Sequence, residues 1–150
     1  MDMFRTRSAG DAGLKLDLFD PATGDDTEHW LCIHSVDSEA FELADTIARR
    51  RTGEIQRLEK EEEKAALVNE ITRNLLASLV ISWSFDIPCT REAVVDFLRT
   101  APQIANAINT MSGQRALFMK SNSPDSTDTL NPPSNSTPSP TEAVAAEEAT

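Results

Sequence analysis

The 150-residue chain is poor in the residues on which most site chemistry depends. It contains two cysteines, two histidines, five glycines and no tyrosine. Two cysteines do not make a disulfide framework, and both lie in apolar surroundings, so we expect reduced, small core residues. His29, Cys32 and His34 suggest a metal, but on a strand Cys32 and His34 point to one face and His29 to the other. No metal site is predicted.

Other catalytic signatures are absent as well. The five glycines fall in no Walker or dinucleotide-binding spacing, and no serine lies in a nucleophile elbow. The acidic run "EKEEEK", residues 59–64, is a poor acid–base site because its carboxylates lie on an exposed helix with nothing to bury them. We therefore predict that the protein is not an enzyme and has no cofactor.

Positive charge and long apolar runs are also scarce. The chain has 14 Lys and Arg against 25 Asp and Glu, a net charge of −11. Such a surface repels phosphate, which argues against nucleic acid as a partner. The run "ARRRTGEIQR", residues 48–57, is a local exception that we interpret as a solvated helix face. The N-terminus has no signal-peptide pattern and no segment reaches membrane-span length, which predicts a soluble cytoplasmic protein without a membrane partner.

Composition divides the chain into three parts. Residues 120–150 are acidic and rich in Ser, Thr and Pro, and they contain five of the eight prolines. A segment with so little to bury cannot offset its ordering entropy, so a disordered tail is predicted. Residues 1–13 are expected to be a flexible N-terminus. Residues 14–119 then form one domain of ordinary size.

The first part of that domain has the pattern of a β-hairpin. Leu14, Leu16 and Leu18 alternate along residues 14–19, which predicts a strand with one apolar face. Residues 29–36 are a second strand candidate, and the segment between them contains the turn residues Pro21 and Gly24. A lone hairpin is marginal in water, so its apolar face must pack on helices.

The remainder of the domain has helical patterns. Asp37 or Ser38 can cap a helix in which Phe41, Ala44, Ile47 and Ala48 share a face, and Gly53 either breaks or continues it. Thr90 can cap a helix over 91–100, with Pro88 confined to the connection before it.

The strongest helical signal is a stripe with three- and four-residue spacing. It predicts a helix over residues 65–83 and consists of Val68, Ile71, Leu75, Leu79 and Trp83. Pro102 suits the first position of a later helix, whose end near Gly113 stays open. The predicted fold class is α+β, mainly α: an N-terminal β-hairpin packed on a small helical domain, followed by the disordered tail.

The segment "ISWSFDIPCTREAVVDFLRTAPQIANAI", residues 81–108, and "QRALF", residues 114–118, resemble the tail assembly chaperones of long-tailed bacteriophages. "DPATGDDTEHWLCIHSVDSEAFELADTIARRR", residues 20–51, is similar to the opening of that family. The positions that match the family pattern are Trp83, Pro88, Thr90, Phe97, Leu98, Pro102, Ile108, Arg115 and Phe118. Two features depart from it, since "SFDIP" is a short connection and the Ser/Thr/Pro-rich tail aligns with nothing in the family.

The resemblance implies a specific role. Such chaperones bind the tape measure protein in the host cell cytoplasm, keep it soluble until the tail tube polymerises around it, and are absent from the mature virion. Many also have a frameshift-extended form that recruits the tail tube protein. Masking apolar helical faces requires a complementary groove. The residues expected to contact the partner are Leu75, Leu79, Trp83, Phe85, Phe97, Leu98, Arg115 and Phe118.

The same sequence features are compatible with several alternatives. The same apolar side chains can simply form the core of a small domain. The protein can instead be another phage assembly component, such as a head–tail connector or a scaffold that forms a homo-oligomer. A third hypothesis is a small acidic regulator that binds a basic host protein.

Overall fold

The computed structural model describes residues 1–121. A short 3-10 helix, Asp2–Phe4, precedes nine further elements. In chain order they are α1 Arg7–Ala12, β1 Leu14–Phe19, β2 Asp26–Ile33, α2 Glu39–Ile55, α3 Glu61–Ala77, β3 Val80–Trp83, α4 Arg91–Thr100, α5 Pro102–Ser112 and α6 Arg115–Ser121. The α+β class with helix predominating is confirmed. The predicted disordered tail lies outside the described residues from position 122 onward.

The predicted hairpin is present and forms part of a three-stranded antiparallel sheet in the order β1-β2-β3. Leu14 pairs with Ile33 and Leu16 with Leu31, and Leu31 and Ile33 are completely buried. The alternation of leucines along β1 therefore selects the core face, as expected for period two. β2 begins at Asp26 and ends at Ile33, earlier at both ends than the predicted strand over residues 29–36.

The predicted continuation of a helix to Trp83 is wrong. α3 ends at Ala77, the chain turns, and Val80–Trp83 becomes β3. In β3, Trp83 pairs with Leu31 and Val80 with Ile33. Three- and four-residue spacing does not distinguish a helix from a turn followed by a short buried strand. The free edge of β2 offers hydrogen-bond partners to a segment rich in strand formers, and tertiary pairing then overrides helical periodicity.

Helix ends follow local sequence signals. The Ser38 side chain accepts a hydrogen bond from the Phe41 backbone N–H at 3.3 Å, and Thr90 accepts one from that of Ala93 at 3.2 Å. Thr90 is the predicted N-cap of α4, and Ser38 is one of the two residues, with Asp37, that were predicted to cap α2. α2 continues through Gly53, and α3 begins at Glu61 with three glutamates in its first turn, where the helix dipole favours them.

The predicted helix from Pro102 begins at that residue, which confirms its start. It ends at Ser112, and a separate helix, α6, follows from Arg115. Gly113 lies between the two, at the position where the sequence left the end of the helix open. Within residues 1–121, no helix combines the length and hydropathy that crossing a bilayer requires.

The segment over residues 1–13, for which flexibility is predicted, contains a short helix. Residues 7–12 form α1, whose Ala9 and Gly10 are buried. The Gly10 carbonyl accepts a hydrogen bond from the Ser35 backbone N–H at 3.1 Å. A Cβ at Gly10 would lie 2.8 Å from the Ser35 Cβ, so the absence of a side chain lets α1 approach the chain after β2.

The core lies between one face of the sheet and the helices. Its fully buried large apolar side chains come from the sheet, the turn after α3, α5 and α6: Leu31, Ile33, Leu79, Ile108 and Phe118. The α2–α3 pair lies beside this core, and α3 also contacts α4 and α5. Much of the α2–α3 surface therefore remains exposed to solvent.

Candidate binding surfaces

The eight residues predicted to contact a partner do not form one groove. Four of them are buried in the core: Leu79, Trp83, Leu98 and Phe118. The half-buried ones are Leu75, Phe85 and Phe97, and Arg115 is exposed. The predicted set thus divides into core residues, the edge of an aromatic cluster, one residue on the α2–α3 pair and one surface ion pair.

The aromatic cluster consists of His29, Trp83, Phe85 and Phe97. The Trp83 ring lies 5.3 Å from that of Phe85 and 5.9 Å from that of Phe97, both edge to face. Phe85 is 5.2 Å from Phe97 and 4.9 Å from the His29 ring. These separations lie in the favourable range for ring pairs. Part of this cluster remains accessible at the half-buried side chains.

Trp83 also fixes the connection that leads to α4. Its indole Nε1–H donates a hydrogen bond to the Ile87 carbonyl at 2.7 Å. The Ile87 side chain itself is exposed. With only 8% of its surface accessible, Trp83 acts as a core residue that anchors a surface loop.

Arg115 lies in a different place and pairs with Asp37. Its Nε and Nη2 donate to the two Asp37 carboxylate oxygens at 2.6 and 2.8 Å, and the Thr6 hydroxyl donates to the same carboxylate at 2.8 Å. The hydrogen bond from Arg115 is the main reason that the pKa of Asp37 is lowered. Asp37 thereby links α6, the start of α2 and the N-terminal segment, which is a structural role.

The sequence did not predict a cleft between α2, α3 and the start of α4. This helical cleft has a volume of about 80 Å³. Its lining residues are Ala44, Ile47, Ala48, Arg51, Ile71, Asn74, Leu75 and Arg91. Leu75 is the one predicted contact residue that reaches it. The sequence signal for this cleft is the helix face that Ala44, Ile47 and Ala48 share.

Large apolar side chains are exposed on the two helices that form the cleft. Leu43 is 65% exposed, Ile47 is 46% exposed and Val68 is 45% exposed. Leu43 and Ile47 lie four residues apart on α2, so they are neighbours on one side of the helix. Exposed apolar side chains on helices that line a cleft of mixed apolar and polar character are a candidate contact site for another protein.

The rim of the helical cleft carries two arginines. The Arg51 Nη1 lies 3.0 Å from the Glu70 Oε1, in an ion pair that joins α2 to α3. The Arg91 Nη2 donates to the Asn74 carbonyl at 3.3 Å. Across residues 1–121, no ion pair is formed between Arg91 and a carboxylate. The rim therefore carries one guanidinium, that of Arg91, without a carboxylate partner among residues 1–121.

The sulfur and imidazole groups do not assemble into a site in the part of the chain that the structure describes. Residues 1–121 contain no group of three or more metal-ligating side chains. Cys32 and Cys89 are both free and half-buried. Burial raises the pKa of each thiol, which keeps both largely protonated at neutral pH.

Comparisons of the chain with protein-family models, with curated proteins and with solved structures find no match.

Proposed function

We propose that the protein is a non-enzymatic tail assembly chaperone of a long-tailed bacteriophage. In this proposal it binds the tape measure protein and keeps it soluble until the tail tube polymerises around it. The observation that carries the proposal is the exposure of Leu43, Ile47 and Val68 on α2 and α3, the two helices that supply most of the lining of the helical cleft. The resemblance of residues 20–51 and 81–118 to that chaperone family supports it independently.

Helices with exposed apolar faces aggregate unless those faces are covered. A long helical chain with apolar faces stays dispersed when each face is covered by a complementary groove. A net charge of −11 would make copies of such a complex repel each other and so help to keep them soluble. The proposal places the protein in the host cell cytoplasm and outside the mature virion. A frameshift-extended form that recruits the tail tube protein belongs to the same proposal.

Co-expression with the tape measure protein of the same phage tests the proposal. We expect the tape measure protein to move into the soluble fraction and to co-purify with this chain. Ile47→Asp places a charge on the exposed α2 surface and should abolish that gain. Ile87→Asp places the same charge on the exposed loop before α4 and should retain it. No gain in solubility with the unaltered chain would contradict the proposal.

Two further measurements distinguish the alternative assignments. Mass spectrometry of purified virions should not detect the protein if it is a chaperone, whereas a head–tail connector would be present. A scaffold would form a homo-oligomer and associate without the tape measure protein. An acidic regulator would instead bind a host protein with strong salt sensitivity and ignore the tape measure protein.

A further inference from the structure

We propose that the helical cleft binds one aliphatic side chain of a partner helix and that Arg51 and Arg91 pair with carboxylates next to it. The inference rests on the proposed function, because the partner helix is taken to be a segment of the tape measure protein. It adds two properties to that function. The bound segment inserts one aliphatic side chain, here called the anchor, into the cleft. It also carries acidic side chains next to that anchor.

The size of the cleft selects the anchor. Its volume of about 80 Å³ has room for more than one water and is well below the roughly 150 Å³ cavity that admits benzene. Ala44, Ala48, Ile71 and Leu75 contribute apolar walls. A branched aliphatic side chain such as Val, Leu or Ile therefore matches this space better than a larger aromatic ring.

The rim arginines select the charge beside the anchor. A guanidinium has five N–H donors in a planar fork that matches a carboxylate. Arg91 is held by the Asn74 carbonyl, which occupies only part of its donors and leaves its charge without a carboxylate among residues 1–121. Arg51 donates a hydrogen bond to Glu70 and has further N–H donors for a second acceptor. The Arg91 guanidinium therefore favours an acidic segment over a basic one at this point, although the whole protein is acidic.

The shape of the surface favours a helix as the occupant. Leu43 and Ile47 are one helical turn apart on α2, and the cleft opens beside them. A partner helix with apolar residues spaced by three or four positions can contact this row and insert one anchor. Carboxylates one turn away from the anchor would then reach the rim.

Binding of overlapping peptides from the tape measure protein tests the anchor. We expect the tightest peptide, measured by fluorescence anisotropy, to combine an aliphatic residue with Asp or Glu three or four positions away. Ala48→Leu fills the cleft and should weaken that peptide about tenfold or more. Ala66→Leu makes the same change on the exposed surface of α3 and should leave affinity and melting temperature unchanged. A peptide whose anchor is aromatic would overturn the inference.

Charge reversal tests the rim. Arg91→Glu should weaken binding roughly fivefold, and replacing the peptide carboxylates by Lys should restore binding to that variant but weaken binding to the unaltered protein. Arg99→Glu makes the same change at the other end of α4 and should have no effect. Rescue by the peptide with reversed charge would show that the two charges pair. Damage to the fold of the variant would instead weaken the binding of both peptides equally.

The outcomes separate this inference from the proposed function. If the tape measure protein co-purifies but Ala48→Leu and Arg91→Glu have no effect, the inference is wrong and the proposed function stands. Failure of every peptide and of co-purification contradicts both. Dimerisation that buries α2 and α3, seen as concentration-dependent gel filtration abolished by Ile47→Asp, would assign the cleft to a second copy and overturn the inference.

Discussion

At the scale of single residues, Trp83 and Asp37 each connect different elements of the fold. Trp83 joins β3 to α4 through Phe97 and holds the intervening loop through the Ile87 carbonyl. Asp37 joins the N-terminal segment to α6 through Thr6 and Arg115. Substitutions at these positions therefore report on packing and on a charged hydrogen-bond network, respectively.

Trp83→Ala is expected to destabilise the protein by about 3–5 kcal/mol, because it removes a large buried side chain and leaves a cavity. Urea denaturation followed by circular dichroism measures this change. Ile87→Ala, on the exposed neighbouring loop, should change the free energy of unfolding by less than about 0.5 kcal/mol. Unchanged stability with loss of tape measure binding would instead assign Trp83 to the partner contact.

The Asp37 network predicts a specific pH dependence. Because Arg115 lowers the pKa of Asp37 in the folded protein, the carboxylate contributes stability above its unfolded pKa of about 3.9 and loses it as pH falls through the folded value. Asp37→Asn should therefore be most destabilising near neutral pH, with the difference shrinking below about pH 4. Urea midpoints measured across this range check the prediction, with Asp86→Asn in the exposed loop as control. A difference independent of pH would contradict it.

At the scale of elements, short segments depend on their ends and neighbours. β3 has four residues and forms only through pairing with β2. α4 has ten residues, too few for a stable isolated helix, so its cap and its buried Val94 and Leu98 hold it in place. Because Thr90 caps α4, the helix begins at Arg91, and this residue lies at the cleft.

Thr90→Ala should destabilise the protein by about 1 kcal/mol, because the Ala93 N–H loses its side-chain acceptor at the start of α4. Thr100→Ala is the matched control at the other end of the same helix, where the hydroxyl donates to the Phe97 carbonyl within the helix. Its effect should stay within about 0.5 kcal/mol. Thermal denaturation of both variants compares them directly, and equal losses would show that the cap is not the cause.

At the scale of the whole molecule, residues 1–121 contain a hydrophobic core of their own. Residues 122–150 contain five acidic residues and no basic one. Their composition offers little apolar surface with which to dock. We therefore expect the stability of the folded domain to be independent of the tail.

Removal of residues 122–150 is expected to change the melting temperature by less than about 2 °C, because no apolar face is lost. The deletion also changes the net charge from −11 to −6. Differential scanning calorimetry of the full and truncated chains at two salt concentrations separates the effect of lost tail contacts from the effect of the changed net charge. A clear drop at both concentrations would contradict the prediction and indicate that the tail contacts the domain.

Local sequence signals determined much of the fold. The alternation of Leu14, Leu16 and Leu18 specified the core face of β1, and the side chains of Ser38 and Thr90 specified where α2 and α4 begin. These signals act within a few residues, because a cap needs only the nearest N–H groups and a strand face needs only period two. The charge of −11 and the scarcity of site-forming residues were likewise readable from composition.

Tertiary structure decided the rest. Trp83 became part of a strand because Leu31, 52 positions earlier, lies on an edge that needs hydrogen bonds. Burial of Leu79, Leu98 and Phe118, and exposure of Ile47, depend on which elements pack together, and residue type alone does not specify that. The helical cleft exists only where three helices meet, so no single stretch of sequence contains it.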